Sequence, residues 1–439
     1  MKKAFLLLIY LLIKHIGLSQ DFDTNKLDIY FNQLTANNKF MGSIAVYKDD
    51  SICYNKQFGY SEVLNQTRPN KETKYRIGSI SKTFTAVLIF KAIEENKLSL
   101  TETIDSFFPE IRNANKITIE YLLHHRSGVH SFTDEREKYL SYHTQAKSEK
   151  EMVDIMSSYD SDFEPNTQAS YSNSNYLLLS YILEKRYGKS FAQILEEKLC
   201  RPLGLRDTYF SKTIAPEEDE AYSYQFDERW QKLPQTNGTI GLGAGSITST
   251  PTNLIKFSRA LFNGQLISDT HLKRMTSIKE RFGMGLFQST YYDLVSYGHN
   301  GGIDNFVSMF RYFPKEQMAF AVTANGLDYD FNQIETVIVK SLLNRHYDIP
   351  IFTVYKPQSK ELSQYIGTYS SDTYPVTIQV VKQKKQLILK VANNPPMQLE
   401  AFAKGKFKFE KAGIVVEFIP SKHEMLVKQS GKISTLKRE

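Results

Sequence analysis

The chain has 439 residues, of which 41% are hydrophobic and 23% are charged, and its formal net charge is +7. This length and balance support two or three folded domains with buried cores. The chain has two cysteines, Cys53 and Cys200, which excludes a disulfide-rich scaffold. In an oxidising compartment the two thiols can pair, and the alternative is two buried free thiols.

The N-terminus has the pattern of a signal peptide. Residues 1–3 are basic, residues 4–13 form an apolar run too short to span a bilayer, and residues 17–19 are suited to cleavage. We therefore expect a signal peptide over 1–19 and export to the periplasm or the cell exterior. An uncleaved anchor is the alternative, although polar residues interrupt the run. No later segment is apolar enough to span a membrane, so no stable span is expected after cleavage.

The next part of the chain mixes strands and helices. Residues 40–60 predict a β-hairpin, and residues 79–98 predict a helix that is buried because apolar residues occupy most of its sides. Residues 100–210 indicate mainly helices joined by polar loops. The clearest of these helices covers residues 176–187 and ends at Gly188.

Short strands return further along the chain. Residues 306–313 and 318–324 predict a second hairpin, and residues 334–343 predict a helix. Strands at both ends with helices between them predict an α/β fold. In this fold an antiparallel sheet is flanked by helices and carries an inserted, mostly helical region. We expect this domain to cover residues 20–355.

From residue 356 the pattern changes to a series of short strands, which predicts a small all-β, barrel-like domain over 356–439. Residues 357–439 contain fourteen lysines and arginines and seven acidic residues, a net charge of +7 for this segment. A solvated lysine-rich surface is the ordinary explanation, and a patch for an anionic polymer or a membrane surface is the alternative. Nothing else in the chain indicates a nucleic-acid partner.

The most informative motif lies at the start of the helix predicted over 79–98. Ser79 precedes Lys82 by three residues, so the two side chains share one helical face. A serine hydroxyl needs a base within hydrogen-bond reach to act as a nucleophile. The partial positive charge of a helix N-terminus favours a less protonated lysine, and its free N–H groups can hold an oxyanion. Ser434 and Lys437 have the same spacing, so the motif needs partners elsewhere.

Two further motifs supply candidate partners. Tyr171 and Asn173 precede a predicted helix. A phenol can act as a base when cations lower its pKa, and an amide can hold a lysine and a substrate together. His299, Gly301 and Gly302 precede a strand, where glycines let a backbone approach closely and an N–H can face an oxyanion. The ordinary alternatives are a capped helix start and a glycine-rich turn with a bystander histidine.

In this order, the motifs resemble the serine β-lactamase and penicillin-binding-protein superfamily. The resemblance is to the branch that contains class C β-lactamases, D,D-carboxypeptidases, D-aminopeptidases and related esterases, and it covers roughly residues 27–345. Further matching segments are residues 117–129 (ITIEYLLHHRSGV), 171–179 (YSNSNYLLL), 243–251 (GAGSITSTP) and 282–285 (FGMG). The C-terminal β domain is similar to small barrel-like domains appended to many such hydrolases.

The resemblance implies a role for each motif residue. Ser79 attacks a carbonyl and forms an acyl-enzyme, while Lys82 and Tyr171 share the duties of general base and general acid. Which of the two takes the serine proton stays open. Asn173 orients the lysine and touches the substrate, and the backbone N–H groups of Ser79 and Gly302 form the oxyanion hole. No cofactor and no metal are implied.

The chain departs from the family pattern at three positions. His299 stands where class C β-lactamases and peptidases carry the lysine of K-T-G, which helps to bind a substrate carboxylate, and this argues against efficient β-lactam hydrolysis. The H-x-G form, completed by Gly301, is similar to that of D-aminopeptidases and esterase-like members. Arg126 replaces a usual threonine and Asn253 a frequent aspartate, and we expect only local surface changes there.

Together these observations predict an exported serine hydrolase that acts through an acyl-enzyme on an ester, an amide or a D-amino-acid peptide, including cell-wall-derived substrates. A β-lactamase or penicillin-binding D,D-peptidase is one alternative, and a non-catalytic cell-wall sensor or binding protein is another. The sequence has no G-x-S-x-G and no H-E-x-x-H motif. The adjacent His124 and His125 make a poor metal pair, and we expect a structural hydrogen-bonding role for His125.

Overall fold

The computed structural model describes residues 22–350, 352, 355–371, 374–392, 394–429 and 432–439. The signal peptide predicted over 1–19 lies outside these residues. Within them, no helix is long and apolar enough to cross a membrane. Cys53 is half-buried and Cys200 is buried, and both thiols are free.

The helices are α1 (Thr24–Ala36), α2 (Ser81–Glu94), α3 (Ile119–Leu123), α4 (Arg136–Tyr142), α5 (Glu149–Ser157), α6 (Asn173–Tyr187), α7 (Phe191–Leu195), α8 (Arg201–Leu203), α9 (Gly238–Gly245), α10 (Pro251–Phe262), α11 (Asp269–Met275), α12 (Phe331–Leu342) and α13 (Ser359–Ser363). The strands are β1 (Phe40–Lys48), β2 (Ser51–Phe58), β3 (Tyr75–Arg76), β4 (Tyr209–Phe210), β5 (Tyr224–Asp227), β6 (Arg229–Lys232), β7 (Ile247–Ser249), β8 (Phe287–Tyr291), β9 (Leu294–Ile303), β10 (Phe306–Phe313), β11 (Met318–Leu327), β12 (Gly367–Ser371), β13 (Tyr374–Gln383), β14 (Gln386–Val391), β15 (Met397–Ala403), β16 (Lys406–Phe409), β17 (Ile414–Ile419), β18 (Glu424–Gln429) and β19 (Lys432–Arg438).

The main sheet joins strands from the two ends of the first 350 residues. Its order is β2-β1-β11-β10-β9-β8, and each neighbouring pair is antiparallel. The short β5 pairs with β11 in parallel at Gly326 and Tyr224, and β6 pairs with β5. The predicted antiparallel sheet flanked by helices is confirmed.

Helices cover both faces of this sheet, which explains why β1 and β11 are buried almost throughout. Successive residues of a strand point to opposite faces. Ile44 and Val46 therefore belong to the core formed with α1 and α12, whereas Ala45 and Tyr47 belong to the core formed with α2 and α10. This second face is the one that carries the start of α2 and the inserted helical region.

The predicted helices exist, and their ends differ from the prediction by a few residues. The helix expected over 79–98 runs from Ser81 to Glu94. The helix expected over 176–187 starts at Asn173 and ends at Gly188, whose φ of 63° lies in the left-handed region that favours glycine. The glycine stop was visible in the sequence, whereas the exact start was not.

Strands β12 to β19 form a closed barrel, which confirms the predicted barrel-like C-terminal fold. The sequence pattern predicts no helix in this domain and strands at residues 365–369, 376–381, 386–391, 406–410, 414–419 and 425–427. The strands β15 and β19 and the short helix α13 are therefore not predicted. Ser434 and Lys437 lie on β19, where residues three apart point to opposite faces. This second serine–lysine spacing therefore cannot bring its two side chains together.

A cluster of charges lies where the main sheet region meets the barrel. The Lys39 Nζ lies 2.9 Å from Asp328 Oδ2 and 3.0 Å from Glu410 Oε2 on the barrel. Burial by itself lowers the pKa of Lys39, but the hydrogen bond with Asp328 and the charge of Glu410 outweigh burial and raise it. Lys39 is thus held as a charged ion-pair partner.

Candidate active site

Ser79 lies in a 3-10 turn, Gly78–Ile80, directly before α2. Ser79 is partly exposed, whereas Lys82 in the first turn of α2 is fully buried. The Lys82 Nζ lies 3.1 Å from the Ser79 Oγ. The structure therefore brings together the pair that the spacing predicts.

Lys82 has three hydrogen-bond partners and, among the described residues, no carboxylate partner. Besides Ser79, its Nζ lies 2.7 Å from Asn173 Oδ1 and 2.6 Å from the carbonyl oxygen of Ala244. Burial lowers the pKa of Lys82 well below its usual value, because the charged form loses its hydration. A neutral amine can donate to the oxygens of Asn173 and Ala244 while its lone pair faces the Ser79 hydroxyl.

Tyr171 lies beside this lysine, with the Lys82 Nζ 4.9 Å from its ring centroid. The tyrosine ring packs against His125 at a centroid distance of 4.5 Å and faces His299 at 6.4 Å. Burial raises the pKa of Tyr171 above its usual value, and a hydrogen bond with Ser79 opposes this only in part. The shift is opposite to the one that a phenolate base requires.

Asn173 opens α6, and each end of its amide has its own partner. Its Oδ1 accepts from Lys82, and its Nδ2 donates to Thr133 Oγ1 at 2.8 Å. Its backbone N–H donates to Ser131 Oγ at 3.1 Å. These contacts fix the amide so that its oxygen faces the lysine.

The His125 side chain forms hydrogen bonds with the start of α6. Its Nδ1 accepts from the Ser172 N–H at 3.1 Å and lies 3.3 Å from Asn175 Nδ2. Burial, together with the charge of Lys82, lowers the pKa of His125 well below its usual value. The ring is therefore neutral and can accept these hydrogen bonds, in line with the structural role expected from the sequence.

Two glycines, one on β9 and one in the Ser79 turn, let the strand pass directly against the turn. A Cβ on Gly301 would lie 1.9 Å from the carbonyl oxygen of Ile77. A Cβ on Gly78, whose φ is +52°, would lie 2.6 Å from the backbone nitrogen of Gly302. Only glycine permits this approach, which brings the Gly302 nitrogen next to the turn that carries Ser79.

His299 lies two residues before Gly301 on β9 and is 3% exposed. Its ring lies 4.6 Å from that of Phe287, and its Nδ1 contacts the carbonyl oxygen of Asn300. Burial, together with the charge of Lys82, lowers the pKa of His299 to about 3. The imidazole is neutral at neutral pH, so it does not supply the positive charge that a lysine provides.

Two clefts meet at Ser79, and Gly302 lines both of them. The His299 cleft has a volume of about 1050 Å³, and its lining includes Tyr171, Phe282, Phe287 and His299. The Phe132 cleft has a volume of about 590 Å³, and its lining includes Phe132, Thr133, Asn173, Gln225 and Ile240. A substrate therefore has room on both sides of the nucleophile.

Residues 278–282 form one wall of the His299 cleft, and an ion pair fixes the position of this wall. Arg126 pairs with Glu280 and hydrogen-bonds the side chain and the carbonyl oxygen of Asn166 at 2.8 and 2.6 Å. Glu280 also accepts from the Ala169 N–H at 3.3 Å. The expectation of only a local surface change at Arg126 is therefore wrong, because its side chain joins this wall to the loop before α6.

Some contributors to the site cannot be recognised from residue type. The lysine partner at Ala244 is a backbone carbonyl, and Thr133 and Ser131 belong to no motif. The only signal for Ala244 was its place in the matched segment 243–251. Asn253, also expected at the surface, is buried, and its Nδ2 donates to Thr208 Oγ1 at 3.2 Å.

Residues 31–341 match the family model described as Beta-lactamase. Penicillin-binding protein 4* of Bacillus subtilis (strain 168) is 25% identical over 426 residues, which cover 89% of this chain and 93% of the relative. Teichoic acid D-alanine hydrolase of Staphylococcus aureus (strain MRSA252) is 24% identical over 324 residues, which cover 72% of this chain and 77% of the relative.

A solved structure has the same fold. D-amino acid amidase from Ochrobactrum anthropi SV3, in complex with D-phenylalanine, matches with a TM-score of 0.66 at 22% identity, over 74% of this chain and 99% of the amidase. The family match covers most of the chain and contains the site around Ser79. The protein therefore belongs to the Beta-lactamase family and is a serine hydrolase.

Proposed function

We propose that the protein hydrolyses ester or amide bonds of D-amino acids, with D-alanyl compounds of the cell wall as substrates, through an acyl-enzyme on Ser79. The observation that carries the proposal is the buried Lys82, which is hydrogen-bonded to Ser79 and has no carboxylate partner among the described residues. A lysine with a lowered pKa is suited to act as a general base near neutral pH. The signal-peptide pattern over 1–19 supports action outside the cytoplasm.

The opposite pKa shifts of two neighbours suggest the division of labour, since such pairs mark the base and the acid. Neutral Lys82 takes the Ser79 proton as Oγ bonds to the substrate carbonyl carbon. The N–H groups of Ser79 and Gly302 hold the charge that develops on the carbonyl oxygen. As the bond to the leaving group breaks, protonated Tyr171 gives its proton to the leaving nitrogen or oxygen, and the Lys82 ammonium returns a proton to the phenol.

Deacylation uses the same groups in reverse. Water attacks the acyl carbon and loses its proton to the Lys82–Tyr171 pair. The bond to the Ser79 Oγ then breaks, and the serine oxygen regains a proton. The products are a free carboxylic acid and the resting enzyme.

His299 favours D-amino-acid derivatives over substrates with a carboxylate beside the scissile bond. Its imidazole is buried and neutral, so it offers no charge to the carboxylate of a penicillin or of a C-terminal D-alanine. The names of two similar proteins, a teichoic acid D-alanine hydrolase and a D-amino acid amidase, agree with this preference.

Similarity to penicillin-binding protein 4* favours a second, slower activity towards penicillins. The two activities can be compared with D-alanine p-nitroanilide, L-alanine p-nitroanilide and nitrocefin. We expect kcat/KM to be highest for the D-alanine substrate. Faster turnover of nitrocefin would identify a β-lactamase instead, and a preference for L-alanine would contradict the proposal.

The nucleophile is tested by replacing each of the two serines that precede a lysine by three residues. Ser79→Ala should lower kcat/KM by roughly 10⁴-fold or more and abolish labelling by a fluorophosphonate. Ser434→Ala is the matched control and should retain both the wild-type kcat/KM and the labelling by the fluorophosphonate. Equal labelling of the two variants would exclude Ser79 as the acylated residue.

A further inference from the structure

A third cleft, the junction cleft, lies between the main sheet region and the barrel, and its volume is about 1040 Å³. The lining residues that the structure describes include one acidic residue, Glu400, and five lysines: Lys39, Lys356, Lys384, Lys385 and Lys408. The excess of positive charge found in the C-terminal sequence is therefore partly gathered in a concave site. Among the described residues, no arginine lines this cleft.

Two of these lysines are already neutralised. Lys39 lies 2.9 to 3.5 Å from the carboxylates of Asp328, Glu400 and Glu410, and Lys408 also pairs with Glu410. Lys356, Lys384 and Lys385 have no ion-pair or hydrogen-bond partner within the described parts of the chain. Since Glu400 is one of the Lys39 partners, these three cations have no counter-charge among the lining residues that the structure describes.

The cleft also offers apolar surface. Phe226, Phe352 and Tyr355 are half-buried and line it together with the lysines. Aromatic rings bury the carbon skeleton of a ligand while the cations hold its charges. The combination fits an anionic chain with carbon between its charged groups.

One strand separates the junction cleft from the site around Ser79. Gln225 of β5 lines the Phe132 cleft, and the next residue, Phe226, lines the junction cleft. Consecutive residues of a strand point to opposite faces. The β5–β6 hairpin is therefore a wall common to both clefts.

We propose that the junction cleft binds a linear polyanion with phosphate groups along a flexible backbone, a binding activity beyond the proposed hydrolysis. Lys356, Lys384 and Lys385 contact the phosphates, since lysine binds phosphate as a point charge and needs no fixed geometry. These three lysines are exposed, whereas the three aromatic rings of the cleft are half-buried. A flexible chain can contact the lysines and follow the cleft to the rings, which a planar bilayer surface does not do. A chain bound there lies one strand away from the cleft of Ser79.

Binding is measured on the full chain with fluorescently labelled inorganic polyphosphate, at 50 and 200 mM salt. We expect Lys384→Glu/Lys385→Glu to weaken binding at least tenfold at 50 mM salt. The dependence of log Kd on log salt should also become shallower by about one to two, because two phosphate contacts are lost. Lys422→Glu/Lys437→Glu, an equal charge change on barrel residues outside the cleft, should stay within about twofold of the wild type.

Four results would overturn the proposal: no binding of polyphosphate at 50 mM salt, equal weakening by both double variants, equal affinity for poly-L-glutamate, or binding to anionic lipid vesicles without binding to polyphosphate. The last result would identify a membrane surface as the partner. Neither lysine contacts Ser79, so hydrolysis of D-alanine p-nitroanilide should be unchanged in Lys384→Glu/Lys385→Glu, and this also shows that the variant is folded. A negative result for polyphosphate binding at the junction cleft therefore does not contradict the proposed hydrolysis at Ser79.

Discussion

Two buried lysines in different regions of the molecule have opposite properties. Lys82 lies in the active site among oxygens of a serine, an amide and a backbone carbonyl. Lys39 lies where the main sheet region meets the barrel, among carboxylates. Burial lowers the pKa of both, but only at Lys39 do negative charges reverse the shift. The neighbouring carboxylates thus decide in which direction the pKa of a buried lysine shifts.

The largest expected effect is on the rate. Lys82→Met should lower kcat/KM for p-nitrophenyl butyrate by roughly 10⁴-fold, because it removes the group that accepts the serine proton. Lys82→Arg should be as inactive, since a guanidinium keeps its proton. Circular dichroism checks that both variants are folded. If Lys82→Arg keeps more than about a tenth of the activity, charge and not proton transfer is what Lys82 supplies.

Replacing Lys39, the buried lysine where the main sheet region meets the barrel, should change the stability of the protein and not its rate. Lys39→Met removes the lysine that joins Asp328 to Glu410, and Lys411 and Lys408 remain beside these two carboxylates. The free energy of unfolding should fall by about 1–3 kcal/mol in urea titrations, since each carboxylate loses one of its two cations. The raised pKa of Lys39 means that its contribution is full below the unfolded-state value of 10.5 and is lost only as pH rises through the folded-state value. The kcat per folded molecule should be unchanged in Lys39→Met. A large loss of kcat would show that the junction affects the active site.

The pH profile separates Lys82 from its titratable neighbour. As pH falls below the lowered pKa of Lys82, the lysine gains a proton and kcat/KM should fall. His299 has a pKa of about 3 and stays neutral above pH 5, so His299→Gln should leave the midpoint of this fall in place. A displacement of more than about one pKa unit would show that the imidazole titrates with the reaction.

The smallest effect concerns the Arg126–Glu280 ion pair at the cleft wall. The Glu280 side chain is 49% exposed, so the pair should contribute only about 0.5–1 kcal/mol. Glu280→Gln should raise KM two- to fivefold, and a double-mutant cycle with Arg126→Gln should show that the two changes are not additive. Lys279→Gln is the matched control, since its partner Glu120 lies outside the His299 cleft.

The sequence predicted those parts of the site that depend on residue type at short spacing. Ser79 and Lys82 are three residues apart, and one helix turn joins them. The Ala244 carbonyl contacts Lys82 through the backbone, which residue type does not reveal. The direction of the Tyr171 pKa shift depends on burial, and burial is set by packing with residues far away in the chain.

The fold shows the same limit. The hairpin of β10 and β11 was predictable because buried residues and a polar turn mark it. The last barrel strand, Lys432–Arg438, was missed because six of its seven residues are at least partly exposed, so apolar alternation is weak. Arg126 and Glu280 are 154 residues apart, and only the closed loops bring them together.

The pairing of β1 with β11 has a consequence for the synthesis of the chain. Tyr47 pairs with Ala319, so β1 is complete about 270 residues before its inner neighbour exists. At the usual rate of translation this interval is on the order of tens of seconds. During this time the β1–β2 hairpin presents an open, apolar strand edge, the kind of edge that pairs with other chains. The edge of β1 that later pairs with β11 therefore needs to be shielded until β11 has been synthesised.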